Sequence, residues 1–531
     1  MSDLRTDDRA RAGRREWIGL AVLFLPCLLI SMDISVLFFA LPFISAELEP
    51  TGTQQLWIMD IYGFVLAGML ITMGALGDRI GRRRLLMLGA TAFSVASVIA
   101  AYSTSAEMLI ITRALLGLAG ATLMPSTLAL IRNMFHDPQE RKTAIAIWTG
   151  AITGGTIVGP IVGGFLLEHF WWGSAFLINV PAMALLLALA PVLLPEFRAP
   201  RTGGFDVLGA ALSLTAVLPV IYGIKRMAVD GVEPLPAASV MAGLLIGVAF
   251  VHRQRTRANP LIDIGLFRHR AFSGSILINV IGMFCLTGYA LFTTQYLQLV
   301  LGMRPFTAAL WSLAASPAIM VAVGVAAVLG RSVRPAFVIC GGLLVSTAGF
   351  ILLSQVRVDS PLAVVLIAAG VLVSGIIVAS TLTADMILTA APPERAGSAS
   401  ALSETGSELG GALGMAILGS IGAAVYHHRM ADVMSPGTSP EALHAARETL
   451  GGANAVAAQL PGNASDALLD AGRHAFTQGM SVASMAGAVL MAATAVVALV
   501  LLRRVQAVQT DQTEQTAQAA DRELVHGPAE N

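Results

Sequence analysis

Two glutamates four residues apart, Glu404 and Glu408, stand in a run of small and apolar residues, "ALSETGSELGGALGMAILGS" (401–420). That spacing puts both on one face of a helix, and two acids so close should titrate as a coupled pair. Three more charges sit where few are expected: Asp33 in "LLISMDISVLFFALP" (28–42), Asp60 in "QLWIMDIYGFVLAG" (55–68) and Arg113 in "LIITRALLGLAGA" (109–121). A charge at the centre of a membrane helix costs about 2.5–3.5 kcal/mol on insertion scales. Each therefore needs a partner or a use. The chemistry open to such acids is reversible: a carboxylate in oily surroundings holds a proton or a cationic guest, but hardly both at once.

Each charge supports a plain reading and a sharper one. Nothing beside Arg113 in sequence neutralises it, so a carboxylate from another helix is expected to, and Asp33 is the natural candidate. A static ion pair and a titrating Asp33 tuned by Arg113 both fit. Asp60 lies about 9 Å from the end of its helix at 1.5 Å per residue, flanked by Trp57 and Tyr62, with Phe38, Phe39 and Phe64 on the same two helices. An acid among aromatic rings suits an organic cation, which gains charge attraction and contact with ring faces. A water-reached vestibule with Trp57 as an interfacial anchor fits as well. Trp148, Tyr289 and Asp385 complete the expected cavity lining, although Asp385 suits an inner gate or a solvated helix end equally.

Composition narrows the setting. Of 531 residues, 56% are hydrophobic and 12% charged, against about 25% charged in a typical soluble domain. Net charge is zero, which gives no footing for a nucleic-acid partner. Cys27, Cys285 and Cys340 lie in apolar stretches without metal-ligand or disulfide spacing, so no metal site is expected. No cofactor is expected either. No His-Glu metal pattern, nucleophile with a base, or phosphate-cradling loop is present, so an enzyme is not expected and ATP drive would need a partner chain. The first 16 residues are polar and Arg-rich, and the following apolar run is too long for a cleaved signal.

Stepping from charges to the elements that carry them, fourteen stretches are long enough to cross a bilayer. They cover about 17–44, 55–76, 85–103, 107–133, 142–167, 173–194, 206–225, 236–252, 272–300, 306–330, 335–354, 361–389, 396–426 and 474–502. An even number puts both termini on one side. Starting inside, the inner segments hold 25 of the 33 Lys and Arg and the outer loops 7, with Arg113 within a span. The bias favours both termini in the cytoplasm. Lysine occurs only at 142 and 225, an arginine-heavy usage that points to a GC-rich bacterial genome and so to the bacterial inner membrane.

The chain also repeats. "PSTL" (125–128) and "PQER" (138–141) return as "ASTL" (379–382) and "PPER" (392–395), at a constant offset of 254. The expected organisation is a polar tail (1–16), a six-helix half (17–194), two inserted helices with flanking loops (195–271), a second six-helix half (272–502) and a disordered tail (503–531). Repeated halves enclosing a midplane site are common among secondary transporters. By the same offset Glu404 takes the place of Gly150, so the second half carries an acid its counterpart lacks. Within the second half, the outer loop 427–473 shows a helix start at "SPEALHAA", a stop at Gly451-Gly452 and a second helical run over about 464–474.

These residues carry a resemblance. "GALGDRIGRRR" (74–84), "LIITRALLGLAGA" (109–121), "GGTIVGPIVGG" (154–164) and "MDISVLFFALP" (32–42) resemble, in order, signatures of the major facilitator superfamily and its fourteen-helix drug:proton antiporters, a family of multidrug efflux pumps. The likeness covers nearly all of 17–502. It implies an all-α fold of fourteen transmembrane helices: two pseudo-symmetric six-helix halves plus two inserted helices. It also implies a conformational latch at Gly74, Gly77, Asp78, Arg79 and Arg82, where a solvated positive-inside stop is the plain alternative. Glycines Gly155, Gly159 and Gly163 around the kinking Pro160 would seal the leak path, beyond ordinary close packing.

The expectation is an antiporter driven by the proton gradient, a monomer in the lipid bilayer. Its partners are protons and lipophilic cationic small molecules such as dyes, quaternary ammonium biocides and cationic antibiotics. Export of one self-made metabolite is the alternative, and a non-transporting sensor the third.

Overall fold

The computed structural model describes residues 12–196, 207–230, 233–257, 264–390, 396–431 and 440–503. The expected disordered tail beyond residue 503 and the "PPER" repeat lie outside them. Among the described residues every regular element is helical. The first group is α1 (Arg14–Leu48), α2 (Gly52–Ile80), α3 (Arg82–Ala101), α4 (Ala106–Met134), α5 (Pro138–His169), and α6 (Ser174–Leu177) continued by α7 (Asn179–Leu193). Next come α8 (Val207–Asp230) and α9 (Pro234–Thr256). The second group is α10 (Arg270–Gln295) with a π-turn at Tyr296–Val300, α11 (Pro305–Ser312) leading into α12 (Ser316–Ser332), α13 (Pro335–Ser354), α14 (Leu362–Thr389) and α15 (Ala396–Met430). A short pair, α16 (Pro440–Glu448) and α17 (Leu450–Ala457), precedes α18 (Gly462–Leu502).

Twelve helices among the described residues are long and apolar enough to cross a bilayer, thirteen when the bent α2 counts as one span. The seventh expected span, 206–225, falls on the 24-residue α8 (207–230), which is not among those thirteen. Exposed apolar side chains such as Leu88, Ile111, Leu244, Val248, Met320 and Val496 face outward, as lipid contact requires.

Local chemistry fixes the helix ends. Thr51 caps α2 by accepting from the Gln54 amide at 3.2 Å, and Gln54 returns the bond to the Thr51 amide at 2.9 Å. Ser105 caps α4, and Asp137, followed by Pro138, caps α5. Gly81 ends α2 at φ +110°, where a side chain would also meet the Glu196 carboxylate at 2.3 Å.

The two groups pack by the same scheme. α1 lies on α5 and α10 on α15; α3 lies on α4 and α13 on α14. Small residues make both crossings close. A Cβ on Gly155 would sit 2.3 Å from the Leu28 carbonyl, and one on Gly410 would sit 2.4 Å from that of Val280. One apolar core is built mainly from the first group, Leu20 to Leu194, and takes in Leu291, Leu297, Ala308, Ala309 and Met415 of the second; the other runs from Ile278 to Leu502.

Several contacts among the described residues join the groups on the face opposite the chain's ends, the far face. α2 meets α15 where Leu56 packs at Gly419 and Gly63 at Ala412; α5 meets α11 where Gly164 abuts the Phe306 backbone. Arg304 pairs with Glu168 at 3.0 Å. Gly451 of α17 packs against Ser45 of α1. The far face is closed.

Here one expectation is corrected. Gly451-Gly452 does not stop a helix but lies inside α17, whose cap is Thr449, accepting from the Gly452 amide at 2.9 Å. A Cβ at Gly452 would come 2.3 Å from the Ala445 carbonyl, so glycine serves close packing against α16. The second helical run is the start of the continuous 41-residue α18.

α8 does not stand apart from the two groups. It packs on α2 and on α15 at once, with α9 behind it. Phe64, Ile221, Ala412 and Ala416 form one apolar cluster at this three-way seam.

Candidate functional site

Arg113 and Asp33 form an ion pair between α4 and α1, with side chains 0% and 1% exposed. The Arg113 Nε donates to the Ile58 carbonyl of α2 at 3.2 Å, and its guanidinium lies 4.6 Å from the Tyr62 ring centroid. One arginine thus binds α1, α2 and α4 together. The glycines of α5 hold the Asp33 side in register, since Gly155 and Gly159 receive Leu28, Met32 and Ser35 from α1. A buried guanidinium needs this many partners to offset its lost hydration.

Half a turn along α2 the structure departs from the expected free acid. Asp60 is paired with Lys225 of α8, whose Nζ lies 2.8 Å from one carboxylate oxygen and 3.0 Å from the other. Neither side chain is exposed. The same ammonium stands 4.0 Å from the Trp57 ring centroid. The aromatic-and-acid arrangement expected for a cationic guest is therefore present, and a lysine occupies it.

Lys225 was the residue missed. At the end of an apolar run, beside Arg226, it reads as an outer-loop cation, whereas α8 continues to Asp230 and carries it inside. The available signal was its rarity: it is one of two lysines among 33 basic residues.

α15 presents three stripes, since a helix turns about 100° per residue. Ser403 and Ser407 face α10, where Asn279 Nδ2 donates to Ser407 at 2.7 Å and Ser403 at 3.4 Å. Thr405 and Leu409 face a small void shared with Phe64 and Gly68 of α2 and Leu214 and Leu218 of α8. Glu404 and Glu408 lie between these stripes, directed into the gap between α10 and α2. Both are half-buried, and no ion pair engages either among the described residues.

The other candidates are distributed. Phe38 is buried in the first core cluster rather than left open as cavity lining. Trp148 donates from Nε1 to Thr127 Oγ1 at 3.1 Å, pinning α5 to α4. Tyr289 packs on the second core. Asp385 is exposed near the end of α14 and is not brought into the cluster. Among the described residues no His, Cys, Asp and Glu group could hold a metal.

At the 74–84 motif, Asp78 pairs with Arg82, the first residue of α3, at 2.6 Å. Gly77 makes room for that arginine, while Gly74 is in ordinary contact with Pro125. Arg83 and Arg84 approach Glu196, after α7, at 3.7 and 3.8 Å. Asp78, Arg82, Arg83 and Arg84 thus engage partners within the first group. Pro160 is buried within α5, and Gly163 receives Val36 of α1.

Comparison with known proteins gives a consistent picture. A family model described as Major Facilitator Superfamily matches residues 23–415. The multidrug efflux pump LfrA of Mycolicibacterium smegmatis is 45% identical over 493 residues, covering 93% of this chain and 97% of that protein. The methyl viologen resistance protein SmvA of Salmonella typhimurium is 36% identical, with 90% and 96% covered. The tetracenomycin C resistance and export protein of Streptomyces glaucescens is 31% identical, with 91% of each covered. Among solved structures, a bacterial homolog to the human lysosomal transporter Spinster, inward-facing and unoccupied, superposes with a TM-score of 0.64 at 17% identity, covering 93% of this chain and 99% of that one.

Proposed function

Because the chain belongs to the major facilitator superfamily, we propose that it is a multidrug efflux antiporter that exports lipophilic cations in exchange for protons. It is a transporter and not an enzyme, with small molecules as substrates. The observation that carries the finer reading is the pair Glu404 and Glu408: two acids on one face of α15, between the stripe on α10 and the stripe on α2 and α8, with no ion pair engaging either among the described residues. An unpaired carboxylate in a membrane interior attracts either a proton or a cation.

Competition couples the two fluxes. A lipophilic cation entering from the side of the termini meets the carboxylates and displaces protons; release on the far side restores them. Alternating access then requires only that the α2–α15 and α5–α11 contacts open as those on the terminal face close. In this reading the terminal face is cytoplasmic, since the basic loops lie there, and the membrane is the bacterial inner membrane.

The test is flux. Purified protein in liposomes should move ethidium outward under a proton gradient and stop when the gradient is collapsed. Equal efflux without the gradient refutes coupling. Export of a single self-made compound is a second reading, favoured by the relative named for tetracenomycin C. On that reading, neutralising Glu404 and Glu408, which no ion pair engages among the described residues, leaves transport of the compound largely intact.

A further inference from the structure

We infer that Lys225, on the inserted helix α8, is a tethered cation that competes with the cargo for Asp60 and Trp57, and that it gives up its proton when the cargo binds there. The inference rests on the cation-export reading and adds a residue, a stoichiometry and a task for the inserted helices.

Four observations support it. The ammonium touches both Asp60 oxygens, at 2.8 and 3.0 Å, so no charge on the acid is left for a guest. It also stands 4.0 Å from the Trp57 ring, the face an aromatic or quaternary cation would use. Both charged side chains are fully buried, so no water or counter-ion replaces one that departs. And α8 is wedged on α2 and α15 together, the two helices whose contact closes the far face. Beside it lies a small void lined by Phe64, Gly68, Leu214, Leu218 and Thr405.

The charges around Lys225 decide how the exchange proceeds. α2 offers Asp60; α4 offers Arg113, already engaged by Asp33. α15 offers Glu404 and Glu408, and α9 offers Glu233 at its exposed start. α8 itself carries Tyr222 and Arg226. A second positive charge at Asp60 would leave one cation unpaired. The balanced step is that the ammonium N–H bond breaks as the lysine swings off Asp60, its electron pair stays on nitrogen and the proton leaves the site for bulk water. Asp60 keeps its charge for the cargo. When the cargo leaves, the amine takes up a proton and returns to Asp60. One proton is exchanged per cation at constant net charge.

The test uses full-length protein, ethidium binding by fluorescence and proton release into weak buffer. Wild type should release about one proton per ethidium through this linkage. K225M, with a neutral stem of similar length, leaves Asp60 buried alone, so the acid takes up a proton of its own; at alkaline pH, where that proton is lost, nothing contests Asp60 and ethidium should bind about tenfold more tightly. K225R, which keeps its charge at all accessible pH, should bind about tenfold or more weakly. Wild-type affinity and proton release in both variants would overturn the inference and leave the export reading standing. No ethidium binding or gradient-driven flux by wild type would sink both. If K225M fails to fold, K225R and the double variant D60N/K225M, which removes both charges, decide the matter. Proton release in the double variant equal to wild type also counts against Lys225.

Discussion

The Glu448 carboxylate accepts the backbone N–H of Gly52 at 2.9 Å, tying the loop before α18 to the first turn of α2 across 396 positions. A negative charge at a helix N-terminus satisfies an orphan donor and complements the helix dipole. His427 and His444 lie 3.7 and 3.9 Å from the same carboxylate. The bond joins the two groups only while the far face is shut, so it favours this state over its alternative.

Glu448→Ala should therefore shift the population toward far-side opening. Loss of a cap of this kind is worth about 0.5–2 kcal/mol, enough to change a state ratio severalfold. Spin labels placed on α2 and α15 at the far face should show the longer distance more often. An unchanged distance distribution would remove Glu448 from the closure.

The α1–α5 crossing gives a sharper contrast between two glycines. A Cβ on Gly155 would meet the Leu28 carbonyl at 2.3 Å, whereas one on Gly150 has nothing within 4 Å. Backbone cannot yield as a flexible side chain does, and overpacking costs about 1–3 kcal/mol. Gly155→Ala should lower the thermal midpoint of purified protein by several degrees, while Gly150→Ala stays near wild type. Because α1 carries Asp33, Gly155→Ala should also slow efflux.

The central ion pair makes a prediction about non-additivity. Arg113→Met leaves Asp33 buried without its cation, and Asp33→Asn leaves Arg113 without its anion. Breaking one side of such a pair costs about 3–5 kcal/mol, whereas removing both charges costs much less. The double variant should be more stable than Arg113→Met alone. If instead the two losses add, the pair is not what holds these helices together, and the Ile58 and Tyr62 contacts carry the weight.

Much of this arrangement was legible from residue types. The apolar runs gave the helices because a bilayer leaves the backbone no other way to satisfy its hydrogen bonds. The Asp33–Arg113 pair was legible because a lone buried arginine demands an acid. Lys225 was not, because the extent of α8 depends on its packing between α2 and α15, which no periodicity records. The continuity of α17 through Gly451-Gly452 was hidden for a related reason. Glycine reads as a helix stop in isolation, but between Ser45 and Ala445 it is the residue that fits. The partner of Asp60 was thus invisible while the acid itself was plain.

Glu404 and Glu408 carry the final prediction, which concerns pH. Glutamine mimics the protonated acid in shape and lacks its charge. At low pH the wild-type acids are protonated, so wild type and the Gln variants should bind ethidium alike. As pH rises the wild-type carboxylates gain charge and attract the cation, while the variants gain nothing at these positions. The affinity curve of wild type should therefore climb with pH and that of E404Q/E408Q should be flatter, the gap widening toward the alkaline end. Neither acid is matched with a cation among the described residues, so the lost attraction is not compensated locally, and a difference of about tenfold corresponds to about 1.4 kcal/mol. Parallel curves would mean that the two glutamates do not exchange protons with the cargo. Coupling would then fall to Asp33 and to the Asp60–Lys225 pair.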